Sequence, residues 1–138
     1  KLRARRNGVS IFEPKIIEGS KTIKRLKESA DRLLLDVPCS GLGVLRRNPD
    51  TKWKLSPESI QKVQETQQEI LQSYPSMLKK GGQLVYATCS ILPSENEEQV
   101  KKFLASEAGK DFELLEDRKV LAQESGFDGF YIARLLKK

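Results

Sequence analysis

The strongest patterns along the chain are two short apolar runs, each of which ends in polar residues. Leu33 to Leu35 are continuously apolar and are followed by Asp36 and a proline. Leu84 to Ala87 form a similar run, which ends at Thr88 and a cysteine. Short continuous apolar runs are typical of parallel strands that are buried on both faces. The two runs therefore predict neighbouring strands of one sheet.

A helix is predicted between these two strands. Ser56 offers an N-cap hydroxyl, and Pro57 and Glu58 suit the first helical turn. Pro75 should interrupt the helix near its end, and Gly81-Gly82 is interpreted as the C-terminal stop. The apolar positions of this stretch are spaced by three or four residues, as one buried stripe requires: Ile60, Val63, Ile70, Leu71, Tyr74 and Leu78.

The two ends of the chain carry weaker patterns. Ile11 to Glu18 predicts a weak strand interrupted by Pro14, and Thr22 to Ser29 predicts a short amphipathic helix. Ser94 followed by Glu97 is typical of a capping box that opens a further helix. Two more strands are predicted, at Phe112 to Leu115 and at Gly129 to Leu136. The order of elements indicates an α/β fold whose sheet is parallel in the middle and antiparallel at one edge.

Charge is distributed unevenly along the 138 residues. The net charge of +6 lies in residues 1–32, which carry ten basic and four acidic side chains, whereas the remainder is neutral. This asymmetry suits contact with a polyanion such as nucleic acid, and a solvated basic helix face is the alternative. No run approaches the roughly 18 apolar residues that cross a bilayer, so no membrane segment is expected.

The sequence contains no histidine and only two cysteines, Cys39 and Cys89. The missing histidine excludes Ser-His-Asp and Cys-His catalysis. Two cysteines alone would need unusual carboxylate partners to hold a metal, so no metal site is expected. The sequence shows no signal peptide, which predicts a cytoplasmic, reducing location with free thiols.

Both cysteines directly follow the two predicted parallel strands. Ligands of open α/β sheets bind at the carboxyl ends of the strands, and a right-handed crossover would bring Asp36, Cys39 and Cys89 into one cleft. The alternative is that both cysteines are small buried apolar side chains. Because each cysteine is followed by a serine at a strand end, a functional site is favoured.

Two other enzyme classes are considered for the first cysteine. A phosphate-cradling Cys-x5-Arg loop would suit a thiol phosphatase, but Arg46 lies seven residues after Cys39, one position too far. Gly41-Leu42-Gly43 lacks the third glycine of a dinucleotide-binding fingerprint. Both patterns are therefore weak.

A series of local motifs occurs in order between Arg32 and the C terminus: Asp36-Val37-Pro38-Cys39-Ser40-Gly41, Arg47-Asn48-Pro49-Asp50, Trp53, Gln67, Lys80-Gly81-Gly82, Tyr86-Ala87-Thr88-Cys89-Ser90, Glu95-Asn96-Glu97 and Gly126-Phe127-Asp128-Gly129-Phe130. With these motifs the chain resembles the Sun/RsmB/NOP-type RNA cytosine-5 methyltransferases. The resemblance implies a Rossmann-like class I methyltransferase fold, S-adenosylmethionine as methyl donor, and a cytosine of ribosomal or transfer RNA as substrate.

The resemblance implies catalytic roles for three residues. Cys89 matches the nucleophile, which adds to ring carbon 6 of cytosine. Cys39 matches the second cysteine, which takes part in releasing the methylated product. Asp36 should meet the ring nitrogen or exocyclic amine of the base and also border the cofactor.

Substrate contacts are expected near the first cysteine. Pro38 and Ser40 should shape the turn around the base, and Arg46 and Arg47 should hold RNA phosphates. Trp53 either stacks on a splayed base or packs the long loop.

The resemblance also implies that residues 1–138 are the C-terminal portion of one catalytic domain. The glycine-rich cofactor loop and the first two strands should precede Lys1, and Glu18 falls where the family has a cofactor-contacting acid. Such a portion should be inactive alone, and the alternative is a non-catalytic RNA-binding or structural fragment. An exposed sheet edge is expected, so either Ile11 to Glu18 pairs with the Leu33 strand or two chains associate.

Overall fold

The computed structural model describes residues 2–17 and 19–138. It contains a four-stranded sheet in the order β1-β2-β4-β3, in which β1 and β2 are parallel and the other two pairings are antiparallel. This confirms the mixed α/β fold with an antiparallel edge. The strands are β1 (Ala30–Asp36), β2 (Leu78–Thr88), β3 (Phe112–Val120) and β4 (Phe130–Lys137). The helices are α1 (Leu2–Arg6), α2 (Ser20–Arg25), α3 (Thr51–Lys54), α4 (Pro57–Ser73), α5 (Glu97–Leu104) and α6 (Ala122–Ser125).

The core lies between one face of the sheet and helices α4 and α5. Leu71 of α4 and Phe103 of α5 are fully buried against it, and the Tyr86 and Tyr131 rings meet edge to face across β2 and β4. In residues 2–17 and 19–138 there is no helix both long and apolar enough to span a membrane.

The first strand is less buried than its apolar run predicts. Leu35 points into the core, but Leu34 is 66% exposed, because β1 is the edge strand and its second face is not covered by the described residues. The weak strand predicted at Ile11 to Glu18 is wrong for residues 11–17, which form no strand. Pro14 lacks an N–H, and Ile11 is 94% exposed, so this segment gains neither ladder bonds nor burial. Its predicted pairing with β1 is therefore also wrong, and association of two chains stays a prediction.

Helix α4 begins as its sequence predicts. The Ser56 hydroxyl accepts from the Ser59 N–H at 3.2 Å, and the helix ends at Ser73, before Pro75. The interpretation of Gly81-Gly82 as the helix stop is wrong, because both glycines lie within β2. They belong to an irregularity in the β1–β2 pairing, where Gly81 adopts a positive φ of 73°.

Helix α5 exists as predicted, but it does not start with a capping box. The helix begins at Glu97, and the Ser94 hydroxyl instead accepts a hydrogen bond from Gln64 at 2.9 Å. Glu97 forms an ion pair with Lys119 at 2.9 Å. The two residues between Ser94 and Glu97, Glu95 and Asn96, are fully buried. Tertiary partners therefore override the local capping pattern.

Candidate active site

The two thiols of the chain lie side by side. The Sγ atoms of Cys39 and Cys89 are 3.2 Å apart, and both residues are half-buried. They meet because the carboxyl ends of the parallel strands β1 and β2 are neighbours, and the Val37 N–H extends that pairing by donating to the Ala87 carbonyl at 3.2 Å. The predicted juxtaposition of the cysteines is present in the structure.

Asp36 occupies the last position of β1, opposite Ala87 of β2, and its side chain is exposed. It lies at the same edge of the sheet as the thiol pair. An exposed carboxylate in this position can accept hydrogen bonds from a bound molecule.

The Cys39 thiol is held in its protonated form. Burial, and next the hydrogen bond with Cys89, raises the pKa of Cys39 to about 12. Cys39 therefore stays protonated at neutral pH and can donate its S–H to the Cys89 sulfur. Because the thiolate is the reactive form of cysteine, Cys39 is a poor nucleophile in the absence of substrate.

A buried carboxylate connects the turns that carry the cysteines. Glu95 Oε1 accepts from the Ser40 N–H at 2.8 Å and from Gln67 Nε2 at 3.1 Å, and Oε2 accepts from the hydroxyls of Ser40 and Ser90. Gln67 Nε2 also donates to the Pro38 carbonyl at 2.9 Å. The sequence places Glu95 only within a motif, and the local pattern carries no signal for its burial.

Asn96 supports the second cysteine turn. Its Oδ1 accepts from the Thr88 hydroxyl at 2.5 Å, and its Nδ2 donates to the Ser90 carbonyl at 3.0 Å. Asn96 is fully buried and its side chain makes no helix-capping bond. Asn96 thus fixes Thr88 and Ser90, the two residues on either side of Cys89.

Two glycines place the neighbouring loops against Cys89. The Gly43 N–H donates to the Cys89 carbonyl at 2.9 Å, and the Gly129 N–H donates to the Gly43 carbonyl at 2.7 Å. A Cβ on Gly43 would lie 2.1 Å from the Gly129 oxygen, so no side chain fits there. Sequence reasoning did not identify this role for either glycine.

The remaining predicted substrate residues fall into two groups. Pro38 is exposed, whereas the Ser40 hydroxyl is buried among protein partners. Arg46 Nη1 donates to the Gly126 carbonyl at 3.3 Å, and Arg47 pairs with Asp128 at 2.6 Å. Glu18, predicted to contact the cofactor, lies outside the described residues.

Two exposed aromatic side chains lie near these arginines or their partners in sequence: Trp53 follows Arg47 by six residues, and Phe127 lies between Gly126 and Asp128. Trp53 is 80% exposed and Phe127 is 75% exposed, so the interpretation of Trp53 as loop packing is wrong. The Lys52 ammonium lies 4.9 Å from the centre of the Trp53 ring system. Flat exposed rings beside cations suit single-stranded nucleic acid.

Comparison with known proteins gives consistent matches over the chain. Residues 5–136 match the family model described as "16S rRNA methyltransferase RsmB/F". The chain is 48% identical over 115 residues to ribosomal RNA small subunit methyltransferase B of Vibrio vulnificus, covering 80% of this chain and 27% of the relative. The corresponding protein of Shewanella oneidensis is 44% identical over 118 residues, covering 80% and 28%.

A solved structure supports the same fold. The methyltransferase homolog protein from Pyrococcus horikoshii superposes with a TM-score of 0.79 at 28% identity, over 99% of this chain and 48% of that chain. The chain spans about a quarter of the length of the curated relatives it matches.

Proposed function

The chain belongs to the 16S rRNA methyltransferase RsmB/F family, and on that premise we propose that the full-length protein methylates carbon 5 of a cytosine in RNA. The observation that carries the proposal is the 3.2 Å distance between the Cys39 and Cys89 sulfurs at the carboxyl ends of two parallel strands. Ribosomal RNA is the favoured substrate, because the relatives are named as ribosomal RNA methyltransferases.

The first step of the proposed reaction is addition of Cys89. Ring carbon 5 of cytosine is a poor nucleophile, but when the Cys89 sulfur forms a bond to carbon 6, electron density shifts to carbon 5. Asp36 would stabilise the developing charge by meeting the ring nitrogen or the exocyclic amine. The thiolate is the nucleophilic form of cysteine, so the Cys89 S–H must lose its proton as the sulfur adds to the ring.

The last step is release of the product. The proton on carbon 5 passes to water, the electron pair of that C–H bond forms the ring double bond, and the carbon 6 to sulfur bond breaks to return the Cys89 thiolate. Cys39 is the residue proposed to assist this elimination, because its sulfur is adjacent to that of Cys89.

S-adenosylmethionine would supply the methyl group as a sulfonium electrophile. Among the described residues, Asp36 fits a contact to it, since its exposed carboxylate ends β1 beside the thiol pair. Glu18 is proposed as a second contact. We propose that a glycine-rich turn outside residues 1–138 holds the rest of this molecule, so that these residues alone should bind it weakly and be inactive.

RNA would approach over the exposed loop residues. Pro38 and Ser40 are proposed to shape the turn beside Cys39, and Arg46 and Arg47 are proposed to hold phosphates. Trp53 offers an exposed face for stacking of a splayed base. This assignment makes RNA the partner of the surface next to the thiol pair.

The test uses the full-length protein with its RNA and S-adenosylmethionine. Cys39→Ala should accumulate a covalent protein–RNA adduct on a denaturing gel, because release is impaired. Cys89→Ala should form none, because the nucleophile is missing. Equal adduct in both variants would overturn the assignment of roles.

A non-catalytic RNA-binding role for this segment is the second candidate, favoured by the exposed Trp53 and Phe127 rings. Titration calorimetry separates the two candidates. RNA binding by a full-length protein that neither binds S-adenosylmethionine nor forms adduct would support this second role.

A further inference from the structure

The buried carboxylate of Glu95 is the feature of this site to which the proposed chemistry assigns no role. Its side chain is fully buried, and both oxygens accept hydrogen bonds, two each. Within residues 2–17 and 19–138 no Lys or Arg forms an ion pair with it. A buried carboxylate is costly unless it is well hydrogen-bonded, so these four donors decide its position.

The four donors come from three separate parts of the fold. Ser40 follows Cys39 in the turn after β1, Ser90 follows Cys89 in the turn after β2, and Gln67 belongs to α4. One carboxylate therefore bonds the residue next to each thiol.

The backbone of Glu95 is itself fixed. The Tyr86 hydroxyl donates to the Glu95 carbonyl at 2.7 Å from inside the core. The Gln67 amide that donates to Glu95 also donates to the Pro38 carbonyl, one residue before Cys39. The backbone of Glu95 is thus fixed by the core, and its side-chain oxygens bond both cysteine turns.

We propose that Glu95 is a positioning residue that sets the distance between the Cys39 and Cys89 thiols. It touches neither sulfur in the hydrogen-bond network and acts through Ser40 and Ser90. The inference rests on the proposed function only for what the thiol pair does. The positioning itself follows from the contacts.

Glu95→Gln and Glu95→Ala separate geometry from charge. In Glu95→Gln the carbonyl oxygen can accept from the Ser40 N–H and Gln67, and the new amide can donate to the two serine hydroxyls, which can accept. In Glu95→Ala all four donors lose the carboxylate, although Gln67 keeps a second acceptor, the Pro38 carbonyl. Positioning therefore predicts that Gln rescues what Ala loses.

The readout is the rate at which Cys39 and Cys89 form a disulfide in the full-length protein treated with diamide. The two thiols give up two protons and two electrons, and diamide takes them up to become a hydrazine. Linked peptides are quantified by mass spectrometry, at a temperature where each variant is folded by circular dichroism. The rate depends on how closely the sulfurs are held.

Glu95→Ala should slow disulfide formation by about tenfold or more, and Glu95→Gln should stay within about threefold of the unaltered protein, because small displacements of reacting groups carry large rate penalties. Glu98→Ala, an exposed acid on α5, is the matched control and should change nothing. If Glu95→Ala lowers thermal stability but leaves the rate unchanged, Glu95 is only structural and the proposal is overturned.

Ser90→Ala keeps the test decisive if Glu95→Ala does not fold. It removes one of the four donors and should slow disulfide formation by a smaller factor, while an unchanged rate would count against the proposal. Methyl transfer is measured in parallel. If the Glu95 variants form the disulfide more slowly but the unaltered protein does not methylate RNA, the proposed function is wrong and the positioning role still holds.

Discussion

The Gly129 N–H donates to the Gly43 carbonyl at 2.7 Å, and this single bond joins the loop after Cys39 to the loop before β4. Gly43 in turn donates to the Cys89 carbonyl. Three segments that are distant in sequence are therefore in backbone contact beside the thiol pair. Only residues without a Cβ allow this approach, since a Cβ on Gly43 would overlap the Gly129 oxygen.

Gly43→Ala should therefore damage the site from within. The added methyl group would push apart the two loops and the Cys89 carbonyl, at a cost of about 1–3 kcal/mol in unfolding free energy. Urea denaturation measures this loss, and the adduct assay measures the accompanying loss of Cys89 reactivity. Gly8→Ala is the comparison, because a methyl group added at Gly8 meets no neighbouring atom. Any loss of stability there comes from the positive φ of Gly8 alone. A Gly43→Ala protein with normal stability and normal adduct formation would contradict the role assigned to this contact.

The sequence predicts that Cys39 and Cys89 lie close together, because two local strand patterns and the rule for parallel strand ends are enough to place them. Two apolar runs end within four residues of the cysteines, and a parallel pairing then places both strand ends at one edge. The start of α4 is equally local, since Ser56 and its following residues form the cap.

The inward positions of Glu95 and Asn96 depend on tertiary partners and could not be read from the local pattern. Ser94 and Glu97 match a capping box, but the residue after Ser94 turns inward instead. The Glu95 carboxylate accepts from Ser40, which is distant in sequence, and from Ser90, which lies in the turn after β2. The exposure of Leu34 has a similar origin. The burial of Leu34 depends on what covers the second face of the sheet, and an apolar run in the sequence does not predict this.

Asn96→Ala should destabilise the protein by about 1–3 kcal/mol, because it leaves the buried Thr88 hydroxyl without its acceptor and the Ser90 carbonyl without this donor. Thermal denaturation provides the measurement. Asn48→Ala removes the same side chain from an exposed position and should have little effect. Equal changes in the two variants would show that the buried hydrogen bonds of Asn96 contribute nothing.

Trp53→Ala should weaken binding of substrate RNA to the full-length protein without lowering its stability. The ring is 80% exposed, so its removal costs little packing, whereas loss of one stacked base is worth about 1–3 kcal/mol, roughly five- to 150-fold in affinity. Fluorescence anisotropy at a fixed salt concentration measures the affinity. Trp53→Phe should retain most of the binding. Ile11→Ala, another exposed apolar position, is the control, and an unchanged affinity in Trp53→Ala would remove Trp53 from the RNA surface.

The alkylation of Cys39 should depend steeply on pH. Burial and the bond with Cys89 raise its pKa to about 12, so the folded protein keeps this thiol protonated where an unfolded chain, with a pKa of about 8.5, has begun to ionise. At pH 9, iodoacetamide should therefore modify Cys39 in the folded protein more than about a hundredfold slower than in urea, because only the thiolate reacts. The same shift makes its contribution to stability largest below the unfolded pKa and removes it as the pH rises towards 12. Peptide mass spectrometry follows the alkylation at each pH. Rapid modification of Cys39 in the folded protein at pH 8 would mean that its thiol is ionised, and the assignment of Cys39 as the protonated partner of Cys89 would fail.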